Sequence, residues 1–207
     1  MPEDRSGGTY EYQPVTRERW PDLDRLFSAS AGEELGNPSR CWCMELRRPH
    51  DEWEREAGEG NRRAMEARVE GGDVPGILAY AGGEPAGWCS VSSRPTLSGL
   101  IATGGFRNPR RDGVWSVTCF YVPEPMRGRG LMKGLVRAAL AYALERGAKV
   151  VEAYTAVPEA FGDGAGGSTT LFAAAGFVEV ARVTDEVRVM RYFAEGRSAP
   201  TTSTSLE

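Results

Sequence analysis

The chain has 207 residues, 41% hydrophobic and 26% charged, with a formal net charge of -4, the proportions of an ordinary globular protein and not of a disordered chain. A single domain of this length buries about 70% of its unfolded surface and needs no staple. The longest apolar stretch, residues 138–144, falls far short of the roughly 18 residues of a membrane span, and 25 basic against 29 acidic residues leave no basic footprint for nucleic acid.

Residues 1–8 are polar and lack the basic start and apolar core of a secretory signal, so they are expected to be a flexible terminus and the location cytoplasmic by default. Residues 9–14 read as a short strand, and Thr16 is placed to cap a helix carrying Leu23, Leu26 and Phe27 and stopping near Gly32. Residues 40–53 are ambiguous. Residues 61–69 (NRRAMEARV) read as a helix closed by Gly71-Gly72. A hairpin follows, with strands at 76–81 and 86–92 around the turn Gly82-Gly83-Glu84-Pro85.

After a connector over 94–112, residues 114–122 (VWSVTCFYV) are apolar, aromatic and β-branched, which predicts a central strand. Residues 131–146 carry apolar side chains at helical spacing and end at Gly147. Further expectations are a strand at 150–156, a short helix at 168–175, and a terminal hairpin of 177–183 with 187–193 around Thr184-Asp185-Glu186. Hairpins around a strand-helix-strand unit predict one mixed α/β sheet with parallel pairing at that unit. The domain is set at 9–193, and 194–207 as a flexible tail whose final Leu206-Glu207 is of the kind a cloning scar leaves.

Between the central strand and the long helix lies Pro123-Glu124-Pro125-Met126-Arg127-Gly128-Arg129-Gly130. A glycine-rich turn opening a helix offers unpaired N–H groups and a positive dipole end to an anion, and two arginines add charge. The spacing excludes a P-loop, and the dinucleotide fingerprint fails because its third glycine would fall on Lys133, one residue before Gly134.

Residues 122–135 (VPEPMRGRGLMKGL) resemble motif A of the GNAT superfamily of acyl-CoA-dependent N-acyltransferases, [RQ]-x-x-G-x-[GA]. Arg127 and Gly130 match, while Met132 stands where glycine or alanine is usual. Residues 171–177 (LFAAAGF) resemble the family's L-Y-x-x-x-G-F segment, with Phe172 in the tyrosine position. The resemblance implies a single GNAT-like domain: a mixed, mostly antiparallel sheet with helices on both faces and a central parallel pair, 114–122 and 150–156, that splays apart. It implies acetyl-CoA as cosubstrate, with pyrophosphate at Arg127, Gly128, Arg129, Gly130, Leu131 and Met132, and with pantetheine beside Phe120, Tyr121, Val122 and the Phe172 position. It also implies an amine acceptor, a small molecule or a protein, with a homodimer left open. A backbone N–H at Val122 would polarise the thioester carbonyl.

Glu152 interrupts an apolar strand and is the candidate general base; the alternative is a carboxylate meeting water at the strand's open end. Because Phe172 has no ionisable proton, Ser168 and Tyr154 become candidate acids for the departing thiolate. Trp42 and Glu45 are candidates for the acceptor pocket, against a core role for Trp42 and a solvated face for Glu45. Arg62 and Arg63 are assigned to a solvated surface. An acyl-cysteine at Cys119 would lack an activating histidine, His50 being the only one in the chain. Cys41, Cys43 and His50 lack the paired spacing of a zinc site, so no metal is expected. A catalytically silent acyl-CoA sensor remains the alternative to an enzyme.

Overall fold

A computed structural model describes residues 9–31, 38–99, 112–156, 169–182 and 187–194. Strand β1 (Tyr10–Pro14) leads through a 3-10 turn into α1 (Trp20–Ser28). Thr16 precedes that turn but makes no side-chain capping bond, and α1 starts later, at Trp20, with Pro21 in its first turn. Proline fits there because the first helical N–H groups have no partner in any case. The ambiguous stretch resolves into two short helices, α2 (Pro38–Cys41) and α3 (His50–Arg55), followed by α4 (Glu59–Glu70). Between α2 and α3 the backbone turns through Trp42 and Cys43, both at positive φ (47° and 51°), a conformation that costs bulky residues energy and that surrounding contacts must impose.

Strands β2 (Gly76–Ala81) and β3 (Glu84–Ser93) form the expected hairpin, but its loop is shorter than the sequence suggested. Gly82 and Gly83, at φ 58° and 84°, make the two-residue turn, because two consecutive positive φ values match the twist of the flanking strands. Glu84 and Pro85 belong to β3, and a bulge beside Tyr80 accommodates them. Strand β4 (Val114–Tyr121), α5 (Leu131–Glu145) and β5 (Val150–Ala156) follow as read from the sequence. Helix α5 ends with Gly147 at φ 80°; Gly147 N–H donates to Leu144 and Ala148 N–H to Ala143, the paired bonds of a Schellman cap. Helix α6 (Thr169–Ala173) and the hairpin β6 (Val178–Arg182) and β7 (Val187–Phe193) complete the chain. The turn residues 184–186 lie outside the described residues.

The seven strands form one sheet in the order β1-β2-β3-β4-β5-β7-β6. Among the described residues only β4 and β5 run parallel; all other neighbours are antiparallel. A core lies on each face. Ile77 and Ala79 of β2 join Leu131, Leu135, Ala139 and Phe172 on one side, while Leu78 and Tyr80 join Leu23, Phe27 and Trp88 on the other. This alternation explains why β2 reads as an unbroken apolar run: both faces are covered.

Gly134, one residue late for a dinucleotide fingerprint, has a packing reason to be glycine. A Cβ built there would overlap the ring and hydroxyl of Tyr12 on β1. Glycine-to-alanine in a helix ordinarily stabilises by about 1 kcal/mol. Gly134→Ala should instead lower the melting temperature, since Tyr12 must move; a rise in a thermal scan would show that β1 and α5 are not in this contact.

Candidate functional site

Two irregularities of the sheet coincide. Between β3 and β4 the register runs Ser90↔Cys119 and then Val91↔Val117, so Thr118 is one residue too many for its neighbour. On the other side of β4, the parallel pairing with β5 runs from Val114↔Val150 to Val117↔Ala153 and stops, although β5 continues to pair with β7 as far as Ala156↔Val187. A bulge bends its strand and sharpens the local twist, and here the bend falls where β4 leaves β5. From Thr118 onward, the edge of β4 that faces β5 has no ladder partner among the described residues. An open strand edge accepts an extended ligand through backbone hydrogen bonds.

The chain leaves this edge at Tyr121 and Val122, turns through 3-10 residues Glu124–Met126, and enters α5 at Leu131. Gly128 and Gly130 have φ of 72° and 83°, and a Cβ at either would meet no protein atom within 4 Å. The left-handed backbone, not crowding by the protein, therefore calls for glycine. Among the described residues none of the N–H groups of Gly128, Arg129, Gly130 or Leu131 donates to another backbone group, as expected for a loop meeting a helix N-terminus. Residues 127–130 are exposed. Arg127 folds back, its Nε donating to Val122 O at 3.0 Å, and so ties the loop to the end of β4. Met132, in place of the family's small residue, is half-buried against the core.

Glu152 is only 2% exposed, and it is not alone. Its Oε1 accepts 2.7 Å bonds from Nε and Nη2 of Arg191, which lies opposite in register on β7. Its Oε2 accepts from the Tyr154 hydroxyl at 2.9 Å and pairs with the guanidinium of Arg94. Arg94 also donates to the Tyr154 oxygen at 2.8 Å. Burial raises the Tyr154 phenol above its ordinary pKa, with Arg94 acting partly against it. The carboxylate meets neither water nor an apolar wall: it sits between two cations and a phenol, an arrangement that favours its anionic form.

The other residues singled out from the sequence divide clearly. Phe120, Tyr121 and Val122 stand at the frayed end of β4 as expected, with their side chains buried. Phe172 is 1% exposed and lies between Phe120 and Phe177, with centroids 6.0 and 5.1 Å away. A hydroxyl there would enter an aromatic cluster. Phe172→Tyr should therefore cost about 1–3 kcal/mol for an unpartnered buried group, visible as a lower melting temperature without faster thiol release; unchanged melting with a higher rate would show that the position faces the cofactor.

Trp42 is a core side chain, packed against Trp20 and Phe27 at 6.0 and 5.3 Å. Glu45 is exposed, and Ser168 lies outside the described residues. Arg62, assigned to a solvated surface, is instead bonded through Nε and Nη2 to Asp24 at 2.6 and 3.1 Å and lies over the Trp20 and Trp42 rings. Only its neighbour Arg63 is exposed. Cys43, buried, accepts from Trp88 Nε1 at 3.1 Å, and its thiol is pushed well above its ordinary pKa by contact with Cys119, partly offset by Cys41, and by burial. Among the described residues no group of three or more His, Cys, Asp or Glu could hold a metal, and no helix is long and apolar enough to cross a membrane.

Residues missed by sequence reasoning are Arg94 and Arg191, which clamp Glu152, and Arg47 and Ser90, which reach the Thr118 bulge. None of them left a local signal, since Arg191 faces Glu152 only once β7 lies against β5.

A bulged strand that parts from its parallel neighbour, then feeds a glycine-rich turn and a helix, defines the class of acyl-CoA-dependent transferases that motif A resembles. The sequence matches the family model for the Acetyltransferase (GNAT) family over residues 20–161, and the chain belongs to that family. Three solved structures share the fold. A GNAT-family acetyltransferase from Listeria monocytogenes 4b F2365 is 13% identical, with 89% of this chain and 94% of that one covered and a TM-score of 0.57. One from Streptococcus pneumoniae is 12% identical, with 89% and 99% covered and a TM-score of 0.55. The PaiA N-acetyltransferase of Thermoplasma acidophilum, solved with coenzyme A, is 13% identical, with 89% and 99% covered and a TM-score of 0.53. A search of curated protein sequences gives no match. Family membership supports acyl-CoA-dependent acetyl transfer as the general activity.

Proposed function

We propose that this chain transfers an acetyl group from acetyl-CoA to a primary amine by direct attack of the amine on the thioester. The observation that carries the reading is the coincidence, in one β4–loop–α5 unit, of the Thr118 bulge, the end of β4–β5 pairing and the unpaired amides of 128–131. The fit is chemical: free N–H groups at a helix start suit a pyrophosphate, and an unladdered strand edge suits the two amides of pantetheine.

In this reading the amides of Gly128, Arg129, Gly130, Leu131 and Met132 cradle the pyrophosphate, with charge from Arg127 and Arg129. The backbone of Phe120, Tyr121 and Val122 holds the pantetheine arm, and the Val122 N–H polarises the thioester carbonyl. The amine nitrogen forms a bond to the carbonyl carbon and the C–S bond breaks. Across the reaction the ammonium gives up two protons, one before attack and one after, and the thiolate takes one. Tyr154 and Ser168 are the candidate donors to the thiolate. Glu152 holds the Tyr154 hydroxyl and is the candidate acceptor of a proton from the amine. Trp42, through the turn it anchors, and the exposed Glu45 are the candidates for the acceptor pocket. The working domain is 9–193, with the two ends outside it.

A sensor without turnover is the second reading, favoured by two observations: Glu152 is fully engaged, and Phe172 carries no proton to give. Calorimetric titration with acetyl-CoA and CoA, followed by thiol release with a panel of primary amines, separates the two. Binding with amine-dependent thiol release is expected. Binding without thiol release on any amine would make the protein a sensor, and no binding would overturn both readings.

A further inference from the structure

Arg47 lies among residues the sequence left unassigned. It is 4% exposed, and taking a guanidinium out of water is costly unless its donors are satisfied. Every acceptor it finds is neutral. Nε donates to Cys43 O at 3.1 Å, Nη1 to Ser92 Oγ at 2.7 Å, and Nη2 to Pro75 O at 2.7 Å and Ser90 Oγ at 2.8 Å. Burial lowers its pKa to about 10, which leaves it a cation at neutral pH.

The Ser90 oxygen is shared. It also accepts from Thr118 Oγ1 at 3.0 Å, and Thr118 is the extra residue of the β4 bulge. A chain of guanidinium, serine hydroxyl and threonine hydroxyl thus runs from the left-handed Trp42-Cys43 turn, through β3, into the bend where β4 leaves β5. An apolar side chain of similar volume would join that turn to the sheet with no desolvation penalty. It would not fix the hydroxyls of Ser90 and Thr118, and a charge-assisted bond holds its partner more tightly than a neutral one.

We propose that Arg47 and Ser90 are positioning residues for acyl transfer: through Thr118 they hold the bulge, and with it the open edge of β4, in the geometry that polarises the thioester carbonyl. This rests on the reading of the splay as the thioester site. It predicts a division of labour, because the pyrophosphate loop at 127–131 is separate from this tether. Breaking the tether moves the acyl carbonyl, while the loop amides of 128–131 keep the pyrophosphate and with it most of the affinity for CoA.

The test needs no known acceptor. Acetyl-CoA labelled with carbon-13 at the carbonyl is bound to wild type, Ser90→Ala, Thr118→Val and the double variant. The carbonyl resonance is recorded, with CoA affinity by calorimetry alongside. In wild type the bound resonance should stand apart from that of free acetyl-CoA. Each single variant should return it at least halfway to the free position while CoA affinity stays within threefold. The double variant should go no further than either single one, since both cut the same link. Thr118→Ser keeps the hydroxyl and should keep the wild-type resonance. Arg47→Met should behave as Ser90→Ala does, and where it fails to fold the serine and threonine variants decide. The proposal is overturned if Ser90→Ala and Thr118→Val give the wild-type resonance, if wild type itself leaves the carbonyl unshifted, or if CoA affinity falls in step with the resonance. Absence of any bound signal in wild type would instead overturn the thioester site.

Discussion

Replacing Gly130 with glutamate should lower affinity for acetyl-CoA by about 100-fold or more, close to 3 kcal/mol. Two effects act at this position. The backbone stands at φ 83°, which costs a side-chain-bearing residue about 1–2 kcal/mol, although no protein atom lies within 4 Å of the new Cβ. In the proposed reading the carboxylate then competes with the pyrophosphate for the same amides and repels it. The fold itself should survive, because an acidic group at a helix N-terminus is favourable by about 0.3–1 kcal/mol. Gly130→Ala supplies the backbone strain without the charge and should lose tenfold at most. Calorimetry on both variants checks the assignment, and Gly130→Glu binding within threefold of wild type would remove residues 127–131 from the cofactor site.

The second large effect is expected at Glu152. Glu152→Gln removes the anion from between two guanidiniums in a closed part of the sheet, and breaking a buried pair from one side costs about 3–5 kcal/mol. Arg191 is 32% exposed and is screened in part, so the lower end, about 3 kcal/mol, is expected; that corresponds to roughly 6–12 °C in melting temperature for a domain of this size. Our reading also expects kcat/KM to fall about 100-fold at neutral pH, because the group that holds Tyr154 and accepts a proton is gone. The two readouts are separable when the rate is measured well below the melting point of the variant. A rate within threefold of wild type, with the melting temperature lowered, would leave Glu152 a purely structural ion-pair partner.

The contrast between these two sites shows what a sequence makes legible. The β4–loop–α5 unit is contiguous: an apolar run, a turn with two glycines and a helix with its own C-terminal glycine are local signals, and all three elements stand where local spacing places them. The Glu152 cluster is not local. Arg94 and Arg191 are distant in sequence, and nothing in Val150-Val151-Glu152 announces them until the strand order brings β7 against β5. The same holds for Arg62, whose charge reads as surface until α1 presents Asp24 to it, and for Phe172, whose alignment with a tyrosine position says nothing of the two phenylalanines that enclose it. The stretch 40–53 was unreadable for another reason. Its left-handed turn at Trp42 and Cys43 goes against the preference of those residues, and bonds from distant Arg47 and Trp88, with the packing of Trp42, help to impose it.

Among the described residues the β4–β5 ladder that joins the β1–β4 half of the sheet to the β5–β7 half has only four paired residues on each strand, from Val114↔Val150 to Val117↔Ala153, with Arg94 bridging to Glu152 and Tyr154 beside it. The protein is therefore mechanically two smaller sheets sharing a short seam, and cooperativity between them depends on that seam, on the Arg94 bridge beside it and on α5. A pantetheine arm lying in the gap would act as a missing partial strand and lengthen the seam. Amide exchange should register this at a distance: with acetyl-CoA bound, slowing is expected not only at the loop but along β5 and β7, which touch no part of the pyrophosphate site, because local opening of either half would now have to break contacts with the other.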